Sequence, residues 1–206
     1  MSAVRLSPLR VDDIVDVMAE AFRGYPVMRW VAAGGEASDD IDDIDARERR
    51  LVDLFVRRRI RRGGPALGVL HDGVLAGAAI LTLPVEPDPP PDVAVMAEAT
   101  WRALGDGART RYEAYAAAAS LFGDLPPHHH LNMIGVRDAY RGRGVARPLI
   151  DAVCALAEAD PASAGVSLTT EKPGNVEIYR HFGFEVVATA SVEAAVETWG
   201  MFLRIR

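Results

Sequence analysis

The chain of 206 residues has a single cysteine, Cys154, so no intramolecular disulfide can form and a reducing compartment is indicated. Nothing around Cys154 on its helix resembles an activated thiolate, and it reads as a small buried hydrophobe. Long apolar runs are missing too. The longest, around Leu75 to Leu83, is far too short to span a bilayer, and residues 1–9 hold no apolar signal-peptide core. Basic charge is not in excess: 23 Lys and Arg face 29 Asp and Glu, a formal net charge of −6. That balance argues against general nucleic-acid binding. No P-loop string G-x-x-x-x-G-K-[ST] occurs, and there are no internal repeats. No cysteine or carboxylate at ligand spacing accompanies the histidine run 128–130, so no metal is expected. The expectation is a cytoplasmic protein, monomer or homodimer, without membrane or nucleic-acid partners.

What is present is an ordinary globular composition, half hydrophobic and 25% charged, in a chain long enough to bury a core as a single domain over 1–206. AVRLSPL (3–9) reads as a strand with Val4 and Leu6 on one face. Asp12 and Asp13 precede a helix in which Ile14, Val17, Met18 and Ala21 recur at helical spacing, ended by Gly24. YPVMRW (25–30) reads as a turn-prone connector with exposed-type aromatics. Residues 34–45 are acidic and glycine-led, a mobile loop or helix start. The next helix carries a stripe of Leu51, Leu54, Phe55 and Ile60 among many arginines, which read as a solvated face paired with the acidic loop.

Two apolar runs around Asp72-Gly73 (66–83) predict a hairpin. The proline-rich stretch 84–92 is a connector. Two helical segments then fill an insert over 92–122. Residues 130–136 and 165–171 read as strands joined by a helix bearing Leu149, Val153 and Leu156, the one place where the chain demands a parallel pair. A short helix (175–182) and two strands (184–192, 198–205) follow. The order β-α-α-β-β-(insert)-β-α-β-α-β-β predicts an α+β or α/β fold with a mixed sheet.

Between the predicted strand at 130–136 and its helix lies VRDAYRGRGVARPLI (136–150), with Arg137, Arg141, Arg143 and Arg147 around Gly142 and Gly144. Free backbone N–H groups at a helix start, helped by the macrodipole, favour a phosphate or pyrophosphate. Glycines let such an anion approach the backbone. The dinucleotide fingerprint G-x-G-x-x-G fails because Arg147 stands where its third glycine belongs. Arg141-x-x-Gly144-x-Ala146 instead resembles the acetyl-CoA signature R/Q-x-x-G-x-G/A of the GCN5-related N-acetyltransferase (GNAT) superfamily. Asn175-Val-Glu-Ile-Tyr179-Arg-His-Phe-Gly183-Phe184 resembles that superfamily's N-x-x-x-Y-x-x-x-G-F element at the right distance downstream. AFRGYPVMRW, the arginine-rich helix and the insert are similar to the puromycin N-acetyltransferase-like branch. Three positions depart from pattern: Asp138 replaces a frequent proline, Thr169 a glutamate frequent in that branch, and Pro148 sits in the first turn of the cofactor helix.

The resemblance implies a three-layer GNAT fold. A mixed sheet of about seven strands, flanked by helices, would splay its parallel strands 4 and 5 around acetyl-CoA, with a cofactor-binding core over 128–184. It implies that the N–H groups of Arg143, Gly144, Val145 and Ala146 cradle the pyrophosphate. Gly142 would give the bend, and Arg141 and Arg143 would reach phosphates. Residues Met133 to Val136, Ile134 and Val136 among them, would pair with the pantetheine amides, and Gly135 would suit a splayed or bulged edge that admits the ligand. Tyr179 is implied as the acid that protonates the departing thiolate. Asn175 would be a cofactor partner or helix N-cap. The implied activity is acetyl transfer from acetyl-CoA to a primary amine of a small molecule, with the segment around Tyr25, Pro26 and Trp30 and the insert on the acceptor side. A non-catalytic CoA-binding module and a protein N-terminal or lysine acetyltransferase are the alternatives. The base is open among His128, His130 and Glu171.

Overall fold

The computed structural model describes residues 1–33, 41–119 and 125–205. The first part of the acidic stretch, residues 34–40, and the predicted end of the insert at 120–122 lie outside the described residues. In chain order the elements are β1 (Ala3–Arg5), α1 (Val11–Ala21), α2 (Pro26–Ala32), α3 (Ile41–Arg61), β2 (Ala66–His71) and β3 (Val74–Thr82). There follow α4 (Pro91–Leu104), α5 (Asp106–Ala119), β4 (His129–Val136), α6 (Ala146–Ala159), β5 (Gly165–Thr170), α7 (Pro173–Arg180), β6 (Glu185–Val192) and β7 (Val196–Arg204).

The strands form one seven-stranded sheet in the order β1-β2-β3-β4-β5-β7-β6. All neighbours are antiparallel except β4 and β5, the parallel pair predicted from the βαβ segment. The Asp72-Gly73 hairpin closes as expected, both residues taking positive φ, 51° and 79°. A hydrophobic core lies on each face of the sheet. One joins α1, α2 and α3 to the sheet, and the other is built around α6, with Leu149 and Val153 fully buried.

Three readings of the sequence need correction. YPVMRW is not a connector but α2. Pro26 opens it at a position where the missing N–H costs nothing, and the apolar run Val27, Met28, Val31 and Ala32 is buried. Tyr25 is buried with it rather than exposed. Val4 is 43% exposed while Leu6 is buried, because β1 is an edge strand and stops before Leu6. Cys154 is only partly buried against the α6 core, although burial still pushes its thiol up to about 11. Among the described residues no helix is long and apolar enough to cross a membrane.

The feature that positions the site is where β4 and β5 part. They pair only at His129–Leu131 with Val166–Leu168, so residues 132–136 of β4 have no strand on that side. A bulge on β4 coincides with the parting: Ile80 of β3 faces Met133 and Leu81 faces Leu131, leaving Asn132 as the extra residue. Gly135 lies past the bulge, and a β-carbon there would stand 2.7 Å from Ala21 Cβ and 3.1 Å from Met18 Sδ. Its bareness lets α1 press onto β4. Gly135 also lies on the splayed edge of β4 and borders the cavity, so the packing role adds to the expected one. Gly135→Ala should therefore destabilise the fold by about 1–3 kcal/mol, the usual cost of overpacking, read as a lower urea midpoint at unchanged slope.

Candidate active site

The loop after β4 is fixed from behind. Arg137 donates from Nε to the Leu75 carbonyl at 3.0 Å and from its guanidinium to Glu20 at 2.7 Å, while the Asp138 N–H donates to the same carboxylate at 2.7 Å. This arginine holds the loop to α1 and is spoken for. Arg147 packs its guanidinium 5.0 Å over the Phe182 ring, so it too faces protein. Arg141 pairs with Asp138 at 2.9 Å, both well exposed, and Arg143 sits over Tyr140 at 5.8 Å. These two keep mobile charge at the loop.

Gly142 and Gly144 take φ of +72° and +75°, and a β-carbon on either would meet nothing within 4 Å. Space therefore lies over both glycines, and glycine is chosen for its left-handed backbone. The N–H of Arg143 is taken by the Tyr140 carbonyl at 3.3 Å, closing the turn. That removes one of the four backbone donors expected in the cradle and leaves Gly144, Val145 and Ala146 at the start of α6. Val145 buries its side chain beneath the loop. Pro148 falls in the first turn, where its missing N–H is tolerated.

From this loop a cavity of about 870 Å³ runs along the unpaired edge of β4 and across the sheet. Ile134, Val136, Arg141, Ala146, Asn175 and Tyr179 all border it, so most of the sequence-selected residues converge on one space. The Tyr179 ring packs edge-on against the buried Phe184 at 5.8 Å. Burial, then the nearby Glu171 charge, pushes its phenol up to about 12, so it stays protonated at any ordinary pH. Asn175 is not an N-cap: α7 begins at Pro173, and Asn175 Nδ2 instead donates to Thr170 Oγ1 at 3.1 Å.

Glu171 is the acidic centre of the cavity. It follows β5 directly and is 7% exposed, and its Oε1 accepts from the Tyr115 hydroxyl and from Thr198 Oγ1, both at 2.8 Å. Its backbone N–H donates to the Tyr25 hydroxyl at 3.1 Å, which also lies 3.0 Å from Thr170 Oγ1. Burial raises its carboxyl above the ordinary range against the opposing pull of those hydroxyls. These hydroxyls hold the carboxylate in place where it borders the cavity. Thr169, which replaces the glutamate of the puromycin-like pattern, sits 3.3 Å from the same Tyr115 hydroxyl. Glu171, two residues further on, borders the cavity.

The histidine run divides. His129 is buried on the other side of β4, bonded through Nδ1 to Ser163 Oγ at 3.0 Å. His128 and His130 border the cavity, and His130 Nδ1 lies 2.7 Å from Ser167 Oγ. Burial, then His128 and Arg59, pushes His130 down to about 4, so it is neutral near pH 7 and a poor proton acceptor. Among the described residues no group of three or more His, Cys, Asp or Glu could hold a metal ion.

Sequence reasoning missed Tyr115, Thr198 and Thr170, because isolated hydroxyl-bearing residues in a helix and two strands carry no motif. It also left Arg58 among the solvated arginines of α3, whereas its side chain borders the cavity.

Sheet order, splayed parallel pair and glycine loop together define the GNAT fold, and residues 108–205 match the family model for the acetyltransferase (GNAT) domain. The match covers a little under half of the chain. Solved structures resemble it over nearly the whole length. A histone acetyltransferase HPA2 and related acetyltransferase from Corynebacterium glutamicum superposes with a TM-score of 0.67 at 19% identity, covering 100% of this chain and 97% of the other. The polyamine N-acetyltransferase of Drosophila melanogaster gives 0.62 at 14% identity, covering 98% and 99%. A ribosomal-protein-alanine N-acetyltransferase from Brucella melitensis gives 0.53 at 15%, covering both chains fully. At these identities the likeness is one of fold, and the acceptors named for the three differ. No curated protein sequence matches the chain significantly.

Proposed function

We propose that the protein is an acetyl-CoA-dependent N-acetyltransferase acting on a primary amine of a small molecule. The observation that carries this is a convergence: a buried, hydroxyl-held carboxylate, Glu171, borders the same cavity as the unpaired β4 edge and the protonated Tyr179. The open space over Gly142 and Gly144 and the N–H groups opening α6 suit a pyrophosphate, with Arg141 and Arg143 as mobile counter-charges. The free edge at 132–136, Ile134 and Val136 included, suits pantetheine amides in the manner of an added strand. Acetyl-CoA, when bound there, supplies the acetyl group as a thioester open to direct attack by an amine.

The chain's own groups then have separate tasks. Glu171 takes the proton of the acceptor ammonium on its carboxylate and so frees the amine lone pair. A β4 N–H at the unpaired edge polarises the carbonyl under attack. Tyr179 holds a proton on its hydroxyl for the departing sulfur. Asn175 fixes Thr170, and through it Tyr25, so the strand end carrying Glu171 stays in register. Resemblance of α2 and the insert to the puromycin-like branch favours a small acceptor, and Tyr112 and Tyr115 of α5 form cavity wall.

The direct test is incubation with acetyl-CoA and a panel of small amines, with free thiol as readout. Amine-dependent thiol release is expected, and the absence of both turnover and acetyl-CoA binding would overturn the reading. Tyr179→Phe should lower kcat by about 100-fold, the usual contribution of a positioned acid, while acetyl-CoA affinity stays within about twofold. Unchanged kcat would remove Tyr179 from the chemistry.

A further inference from the structure

Resting on the acetyltransferase reading, we propose that the acceptor amine carries a carboxylate at the far end of an apolar body, and that Arg58 receives it. Most arginines of α3 have partners. Arg49, Arg57, Arg59 and Arg61 pair with carboxylates, as does Arg62 just past the helix. Arg47 donates to the carbonyls of Ala32 and Leu104. Arg50 lies exposed on the surface. Arg58 differs from all of these. It is half-buried on the cavity wall, and among the described residues it makes no ion pair or hydrogen bond. A guanidinium partly removed from water without a partner is unfavourable, and the like charge of Arg59 beside it adds to that. A ligand anion offsets both.

The cavity wall fixes what joins the two charges. Phe55, one turn before Arg58 on α3, has its ring 5.2 Å from Tyr112 of α5. Tyr115, one turn further along α5, donates to Glu171. An acidic end and a cationic end are thus connected by an aromatic wall. An amine with its ammonium at Glu171 and its carboxylate at Arg58 matches both ends. The planar fork of a guanidinium suits a carboxylate in two-point contact.

The test compares 4-(aminomethyl)benzoate with benzylamine, its neutral counterpart, as acceptors for the wild type and for Arg58→Met. The wild type should favour the carboxylate at least tenfold in kcat/KM. That ratio should fall towards one in Arg58→Met and be partly kept in Arg58→Lys. Equal use of the two amines by the wild type, or the same ratio in Arg58→Met, overturns the proposal. Calorimetric titration of 4-(aminomethyl)benzoate without acetyl-CoA decides the matter independently of turnover. Affinity should drop at least fivefold in Arg58→Met, and equal affinity, or no binding to the wild type, counts against Arg58. Loss of acetyl-CoA binding and of thiol release, with that affinity difference intact, would overturn the acetyltransferase reading and leave the carboxylate site standing.

Discussion

Gly144→Asp should abolish measurable acetyl-CoA binding, raising Kd at least about 100-fold by calorimetry. Backbone strain is not the main reason, because aspartate tolerates the left-handed conformation better than most residues and no atom lies within 4 Å of an added β-carbon. The reason is charge. A carboxylate at the start of α6 stands where the pyrophosphate must lie, and two like charges about 4 Å apart near a protein surface repel by about 4 kcal/mol. That corresponds to roughly three orders of magnitude in Kd. A side chain at φ +75° is strained while its charge is welcome at an empty helix N-terminus, so the two effects partly offset and Tm should fall only slightly. Arg147→Ala is the control: its guanidinium is committed to the Phe182 ring, and binding should change by less than about threefold. Equal binding by the two variants would place the cradle elsewhere.

Glu171→Gln should lower kcat/KM by about 100- to 1,000-fold, the range of a general base, with acetyl-CoA affinity little changed. Glutamine is nearly isosteric, and its carbonyl oxygen can still accept from Tyr115 and Thr198, so the pocket keeps its shape. The pH dependence separates a base from a structural acid. Burial raises the Glu171 carboxyl, so wild-type activity should fall as pH drops through a value above the ordinary carboxylate range. The variant should lose that limb. Stability has the opposite sign. A carboxyl with a raised folded-state pKa favours the fold most below its unfolded pKa and loses that contribution as pH rises through the folded one. At pH 8 the wild type holds a buried charge that glutamine does not have, so the variant should melt at the same temperature or higher. A variant that keeps the acidic limb would shift the base role to His128.

The glycine loop was legible because backbone chemistry dictates it: a left-handed turn at a helix start permits few residues, and Arg141, Gly144 and Ala146 stand at fixed spacing. The parallel pair was legible from one helix between two apolar runs. α2 was missed because YPVMRW was read as a turn-prone connector, although proline also opens helices and the buried run after it has helical spacing. Glu171 remained one candidate among three because its identity as a base depends on Tyr115, 56 residues earlier, and Thr198, 27 residues later. Such a network exists only once the sheet has formed. Arg58 was hidden by its neighbours: seven arginines on one helix look like a solvated face until each partner is known.

The parting of β4 from β5 also bears on solubility. A strand whose hydrogen-bonding edge opens in mid-sheet is an edge strand, able to recruit a foreign strand and seed aggregation. Here the exposed length is only residues 132–136, bounded by the Asn132 bulge and by the turn at Asp138. A bulge at one end and a tight turn at the other leave too short and too twisted a template for stable intermolecular pairing. The opening that admits a ligand is thereby kept narrow enough to discourage self-association.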